Sequence, residues 1–260
     1  MHDLAVCDLE AVVARLRAAG CVFAEEEAVV LVEAAHGDDH LLELVDRRVS
    51  GTPLEYVVGW AAFRGLRLAV DAGVFVPRVR SGLLVDLVLP ELTTVSVVLD
   101  LCCGAGALAA AILAESDATE VYAADVDPIA VRCARRNLAA ERVFEGDLFS
   151  ALPDELDGRL DVVVVNAPYV PTAEIAFMPA EAREFEAAVA LDGGGDGLDV
   201  HRRVAAEARA WLAPGGLLAI ETSERQADRT AALFAAEGFD ARISRDDDRD
   251  ATAVTARAPR

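Results

Sequence analysis

Three observations predict an α/β fold whose mostly parallel sheet is covered by helices on both faces. From about residue 95 onward, apolar strand-like runs alternate with helical ones. Runs such as Val162-Val163-Val164-Val165 are continuous, as strands buried on both faces are. The two final strands, joined by the acidic turn Asp246-Asp247-Asp248, place an antiparallel strand at the end of the sheet.

The elements follow in order. Up to about residue 50 the apolar positions repeat at helical spacing: Leu9, Val12, Val13 and Leu16, then Ala28, Val29, Leu31 and Val32, then Leu41, Leu42, Leu44 and Val45. Gly20 and Gly37 mark the breaks. A β-like segment follows, with Leu66, Leu68 and Val70 on one face, then Val74 to Val76, split by Asp71-Ala72-Gly73. Strands are predicted at 95–101, 120–126, 142–145, 160–165, 217–221, 239–244 and 251–256. Helices are predicted at 105–115, 128–140, 200–212 and 224–237, Pro128 suiting a first helical turn. The chain thus divides into a helical part (1–65), a hairpin with a linker helix (66–90) and an α/β domain (91–260). The glycine-rich Asp192-Gly193-Gly194-Gly195-Asp196-Gly197 reads as a flexible loop able to close over a site.

Bulk properties narrow the function. A 54% hydrophobic content and a mean hydropathy of +0.30 indicate a large core. No apolar run approaches the roughly 18 residues of a membrane span, and Met1-His2-Asp3 lacks the positive start of a secretory signal, so a cytoplasmic protein is expected. The net charge of −21, with Arg as the sole strong base, disfavours direct nucleic-acid binding. Five cysteines (Cys7, Cys21, Cys102, Cys103, Cys133) form no C-x-x-C pair, and His2, His36, His40 and His201 are scattered. Buried reduced thiols and no metal are expected.

The chemistry gathers where strands end. The first α/β strand closes in Asp100-Leu101-Cys102-Cys103-Gly104-Ala105-Gly106, where two glycines permit a tight turn and close approach of backbone to ligand. Asp125 ends the second strand, where a carboxylate can accept both hydroxyls of a ribose. Asp147-Leu148 follows the third, an acceptor for an adenine amine and an apolar contact for its ring. NAD would use a similar layout, but Ala109 stands where its third glycine belongs. The acid at Asp100 suits a cationic ligand, which favours S-adenosylmethionine. The fourth strand ends in Asn166-Ala167-Pro168-Tyr169. There the Asn166 oxygen and the carbonyl of Ala167 can each accept an N–H of a planar amine while the Tyr169 ring packs on its plane.

Taken together, these motifs resemble the HemK/PrmC family of protein-glutamine N5-methyltransferases. Further stretches carry the likeness: Arg47-Arg48 with Gly51, Pro53 and Tyr56; Phe63-Arg64-Gly65-Leu66; Pro77-Arg78; and Ala190 to Gly194 with Asp196-Gly197-Leu198. The resemblance implies a seven-stranded, Rossmann-like class I methyltransferase domain and S-adenosylmethionine as cofactor. It also implies a small N-terminal domain that recognises a protein substrate such as a peptide-chain release factor. The cofactor would lie on Cys102 to Gly106, Asp125 and Leu148, and the substrate on Asn166 to Tyr169. Three departures stand out: Ala167 for the first Pro of the usual Asn-Pro-Pro-Tyr, Val79-Arg80-Ser81-Gly82 where the family carries Thr-Glu, and Ala187 after Phe185-Glu186. They resemble an actinobacterial-type side branch. A small-molecule or nucleobase N-methyltransferase and a noncatalytic paralogue are the alternative readings.

Overall fold

In the computed structural model, residues 9–118 and 120–260 are described; Met1-His2-Asp3 and Cys7 lie outside them. The first four helices are α1 (Leu9–Ala18), α2 (Ala24–Ala34), α3 (Asp38–Val49) and α4 (Leu54–Val58). They bury a core of their own around Leu16, Leu31, Leu44, Val45 and Val57. The breaks fall at Gly20 and Gly37, both in left-handed backbone (φ +92° and +119°). Arg48 of α3 is only 8% exposed. It donates to both carboxylate oxygens of Glu27 (2.6 and 3.1 Å) and to Glu181 Oε1 (2.7 Å), tying these helices to the later part of the chain. A buried guanidinium needs such partners to be tolerated.

The hairpin differs from the sequence expectation. β1 (Trp60–Phe63) pairs antiparallel with β2 (Leu66–Ala69), and the turn is Arg64-Gly65 rather than Asp71-Ala72-Gly73. Both turn residues have positive φ (+48° and +78°), the geometry whose twist matches a two-residue hairpin. Only Gly59, in left-handed backbone, separates α4 from the strand Trp60–Phe63, so no longer loop announces it.

The α/β part comprises α5 (Gly82–Val88), β3 (Val97–Leu101), α6 (Ala107–Glu115), β4 (Glu120–Asp125), α7 (Pro128–Asn137), β5 (Val143–Glu145) and β6 (Leu160–Val165). It continues through the short α8 (Ala180–Phe185) and α9 (Ala188–Leu191), then α10 (Asp199–Trp211), β7 (Leu212–Thr222), α11 (Ala227–Ala236), β8 (Asp240–Asp246) and β9 (Ala251–Arg257). Seven strands form one sheet in the order β5-β4-β3-β6-β7-β9-β8. The final strand β9 is antiparallel, as expected, but it inserts between β7 and β8 instead of lying at the edge. Strand residues alternate between two cores. Val98, Val162 and Val164 face α5, α6 and α7. Leu99, Leu101, Val163 and Val165 face α10 and α11. Cover on both faces is why these strands read as unbroken apolar runs. The helix at Pro128 is capped by Asp127, whose Oδ1 accepts the Ile129 N–H at 2.8 Å. Among the described residues no helix is long and apolar enough to cross a membrane.

The glycine-rich segment is not the open flexible loop its composition suggests. Gly193 N donates to Val170 O (2.8 Å), Thr172 N to Gly194 O (2.9 Å), and Asp199 N to Gly193 O (2.9 Å). A Cβ on Gly197 would lie 2.3 Å from the Tyr169 carbonyl, and one on Gly193 would lie 2.6 Å from Gly197 O. These glycines are there because backbone packs on backbone.

His201 of α10 is fully buried, its Nδ1 paired with Thr230 Oγ1 at 3.2 Å and its Nε2 without a partner. Burial lowers its pKa from the ordinary 6.5 to about 4, helped by the charge of Arg202. The folded protein therefore keeps His201 neutral while the unfolded chain takes up a proton. Stability from this group is complete above pH 6.5 and is lost as pH falls toward 4. The loss should approach about 3 kcal/mol. Urea denaturation of the wild type and His201→Phe at pH 7 and pH 4.5 checks this, the variant being expected to lose less stability on acidification.

Candidate active site

A cavity of about 380 Å³ opens at the carboxyl ends of β3, β4 and β6. β3 is followed in sequence by β4 and β5 on one side, while β6 and β7 lie on the other. The crevice where strand order reverses, between β3 and β6, is where open α/β sheets take their ligands.

On the β3 side, Asp100 is 1% exposed. Its Oδ2 accepts the Ala109 N–H (3.0 Å) in the first turn of α6, and its Oδ1 is buried without a partner. Burial pushes this carboxyl well above the usual range, a shift that the Ala109 N–H opposes and the nearby Asp125 charge increases. Asp125 is also raised by burial, offset by the N–H groups of Asp127 (2.9 Å, to Oδ1) and Gly104 (2.8 Å, to Oδ2). Two strand-end loops are strained: Cys102 after β3 (φ +59°) and Leu148 after β5 (φ +50°) are non-glycine residues in left-handed backbone, and both line the cavity. Cys103 extends the β3–β4 pairing, its N–H reaching Ala124 O at 3.0 Å. Ala105 is anchored by Asn137 at the end of α7, whose Nδ2 donates to the carbonyls of Ala105 (2.8 Å) and Ala69 (2.9 Å). Gly106 has φ +77°, and a Cβ there would stand 2.7 Å from Leu138 Cδ1.

Asp147 reaches the cavity as half of an ion pair. Both its oxygens pair with Arg203 of α10 (3.0 and 2.8 Å) at the cavity wall. Leu148, buried beside it, presents the apolar surface expected of it.

Across the crevice, Asn166 Nδ2 donates to Ser81 Oγ at 3.1 Å, which fixes how the amide is turned. Neither Asn166 Oδ1 nor the Ala167 carbonyl accepts a hydrogen bond from another described residue. The Tyr169 hydroxyl donates to Glu221 Oε1 (3.0 Å), the same atom that receives Arg80 Nε (2.9 Å). Burial raises the Tyr169 phenol above its ordinary range, with the Glu221 charge adding to the shift.

The fold therefore brings Asp100, Cys102 to Ala105, Asp125, Asp147, Leu148 and Asn166 to Tyr169 around one cavity, while Gly106 lies buried behind the turn against Leu138. Sequence reading missed Ser81, Arg80, Asn137, Arg203, Glu221 and Gln226. Glu221 carried a signal, being a charged residue at the end of the apolar run Leu217-Leu218-Ala219-Ile220. The others are brought in from distant segments. Among the described residues, no group of three His, Cys, Asp or Glu side chains is placed to hold a metal ion.

Residues 66–203 match the methyltransferase small domain family. The chain is 36% identical to a release factor glutamine methyltransferase of Streptomyces coelicolor over 82% of both chains. It is 37% identical to one of Geobacter sulfurreducens over 75% of this chain and 69% of that one. This chain belongs to the release factor glutamine methyltransferase family. A methyltransferase from Pyrococcus furiosus shares the fold, with a TM-score of 0.57 at 17% identity over 76% of this chain and 91% of that one. Members of the family draw their methyl group from S-adenosylmethionine. The β3 side of the cavity fits that group: an unpartnered carboxylate oxygen at Asp100 suits a cationic ligand, and Gly104, with no side chain, lets a ligand approach the backbone at the cavity wall.

A valine at Gly106 would face both the left-handed φ and the Leu138 contact. Gly106→Val should weaken S-adenosylmethionine binding by about tenfold or more, read by calorimetry with thermal unfolding as a control.

Proposed function

We propose that this protein methylates the side-chain amide nitrogen of a glutamine in a peptide-chain release factor. The observation that carries this reading is the pair of uncommitted acceptors at the β6 end of the cavity, Asn166 Oδ1 and the Ala167 carbonyl, with the Asn166 amide already turned by Ser81. When bound, S-adenosylmethionine supplies an electrophilic methyl group. The remaining work falls to the chain.

An amide nitrogen is a weak nucleophile because its lone pair is delocalised into the carbonyl. Asn166 Oδ1 and the Ala167 carbonyl each take one N–H of the acceptor amide, which raises electron density on the nitrogen and aligns it for attack. The Tyr169 ring packs against the amide plane. The proton leaves to solvent after transfer, since the methylated nitrogen is strongly acidic. Asp100, Cys102 to Gly106, Asp125 and Leu148 hold the cofactor on the opposite wall. Asp147 serves that wall through Arg203.

A macromolecular acceptor is supported by the cavity's surroundings. Val79 (75% exposed) precedes the lining residues Arg80 and Ser81, and Phe177 (86% exposed) precedes the lining residue Met178. Val189, itself part of the lining, is half-exposed. Large apolar side chains left in water around a cavity suit a protein partner better than a small solute.

Two outcomes test the reading. Asn166→Ala should lower turnover about a hundredfold while S-adenosylmethionine affinity stays within about twofold. Labelled methyl transfer to purified release factor, with mass spectrometry locating the modified glutamine, measures it; equal turnover in the variant rejects the role. Phe177→Ser should raise KM for the release factor about tenfold without changing cofactor affinity. An unchanged KM would remove Phe177 from the docking surface.

A further inference from the structure

The segment Asn166 to Tyr169 is fastened at both ends by a hydrogen-bonded circuit. At one end Asn166 Nδ2 reaches Ser81 Oγ (3.1 Å), and the neighbouring Arg80 donates to Glu221 Oε1 (2.9 Å). At the other end the Tyr169 hydroxyl returns to that same Glu221 oxygen (3.0 Å). Backbone is held as well as side chain, because Gln226 Nε2 donates to the Tyr169 carbonyl (2.9 Å) and to Asp196 O (3.1 Å). Gln226 is in turn gripped through its Oε1 by the Ser223 hydroxyl. Glu221 is the penultimate residue of strand β7 and Gln226 ends the short helical turn that follows it, so one continuous segment supplies both contacts.

Glu221 is 2% exposed and its Oε2 has no partner. Burying a carboxylate with one oxygen unsatisfied is costly, and the residues before it in β7 are apolar. Both of its partners, Arg80 and Tyr169, line the acceptor side of the cavity. The tetrapeptide also needs outside support, because Ala167 lacks the fixed φ that a proline would give. We propose that Glu221 and Gln226 are positioning residues that hold Asn166 to Tyr169 in the geometry that receives the acceptor amide. This rests on the reading that the tetrapeptide is the acceptor grip.

The test combines kinetics with amide hydrogen exchange. Glu221→Leu and Gln226→Leu should lower kcat/KM for release factor by about tenfold to a hundredfold, mainly through kcat. Cofactor affinity should stay within about twofold, since neither residue lines the β3 side. Exchange should accelerate at the backbone amides of residues 166–170. Glu221→Gln, which keeps an acceptor oxygen, should recover most of the activity. Tyr169→Phe combined with Glu221→Leu should cost less than the two single losses summed. Unchanged exchange, or faster exchange with undiminished kcat/KM, overturns the proposal, as does full additivity in the double variant. If the leucine variants fail to fold, Tyr169→Phe, which removes the hydroxyl that Glu221 holds, decides in the same terms. If the wild type transfers no methyl to release factor, the substrate reading falls. Exchange then judges the clamp alone: acceleration confined to 166–170 upholds it and no change rejects it.

Discussion

Everything in this molecule depends on a parallel sheet being covered on both faces. Such strands have no solvent side, so their interiors must be apolar in every position, and polar groups are affordable only near their carboxyl ends. Leu99 and Val163 face one core while Val98 and Val162 face the other. Asp100, Asp125, Asn166 and Glu221 stand where that burial gives way to the crevice or to the turns beside it. The same constraint that excludes polar residues from the sheet therefore gathers them at one edge of it.

Holding those groups still is the second requirement, and it is met by backbone packing more than by regular structure. Gly193 and Gly197 let the 192–197 segment lie against the chain at Tyr169, and Asn137 fastens the Gly104 turn to the hairpin. Left-handed Cys102 and Leu148 add strain that the surrounding core has to balance. The ion pairs of Arg48 with Glu27 and Glu181 join the N-terminal helices to the α8 region beyond the tetrapeptide. Cofactor side, acceptor side and helical part are thus coupled by specific contacts between segments far apart in the chain.

Much of this was legible beforehand. The alternation of strands and helices, the strand-end acids and the Asn166 tetrapeptide are local signals, because burial and turn geometry write themselves into nearest neighbours. The hairpin is hard to place from sequence because Arg64-Gly65 lacks the Asn or Asp that usually marks such a turn, and because a single residue, Gly59, separates β1 from α4. The 192–197 segment was misread because glycine composition cannot distinguish freedom from close packing. Arg203, the partner of Asp147, leaves no local signal because it lies on a helix far along the chain.

The sequence by itself determined the α/β class, the alternation of strands and helices from about residue 95 onward, and the residue types at the strand ends of the site, since these follow from periodicity and local propensity. Only the tertiary structure decided that β9 inserts between β7 and β8, that Ser81 turns the Asn166 amide, and that Glu221 and Gln226 hold Tyr169. Those outcomes depend on side chains meeting across long stretches of chain. Such meetings are set by packing and hydrogen-bond geometry, which no short window of sequence contains.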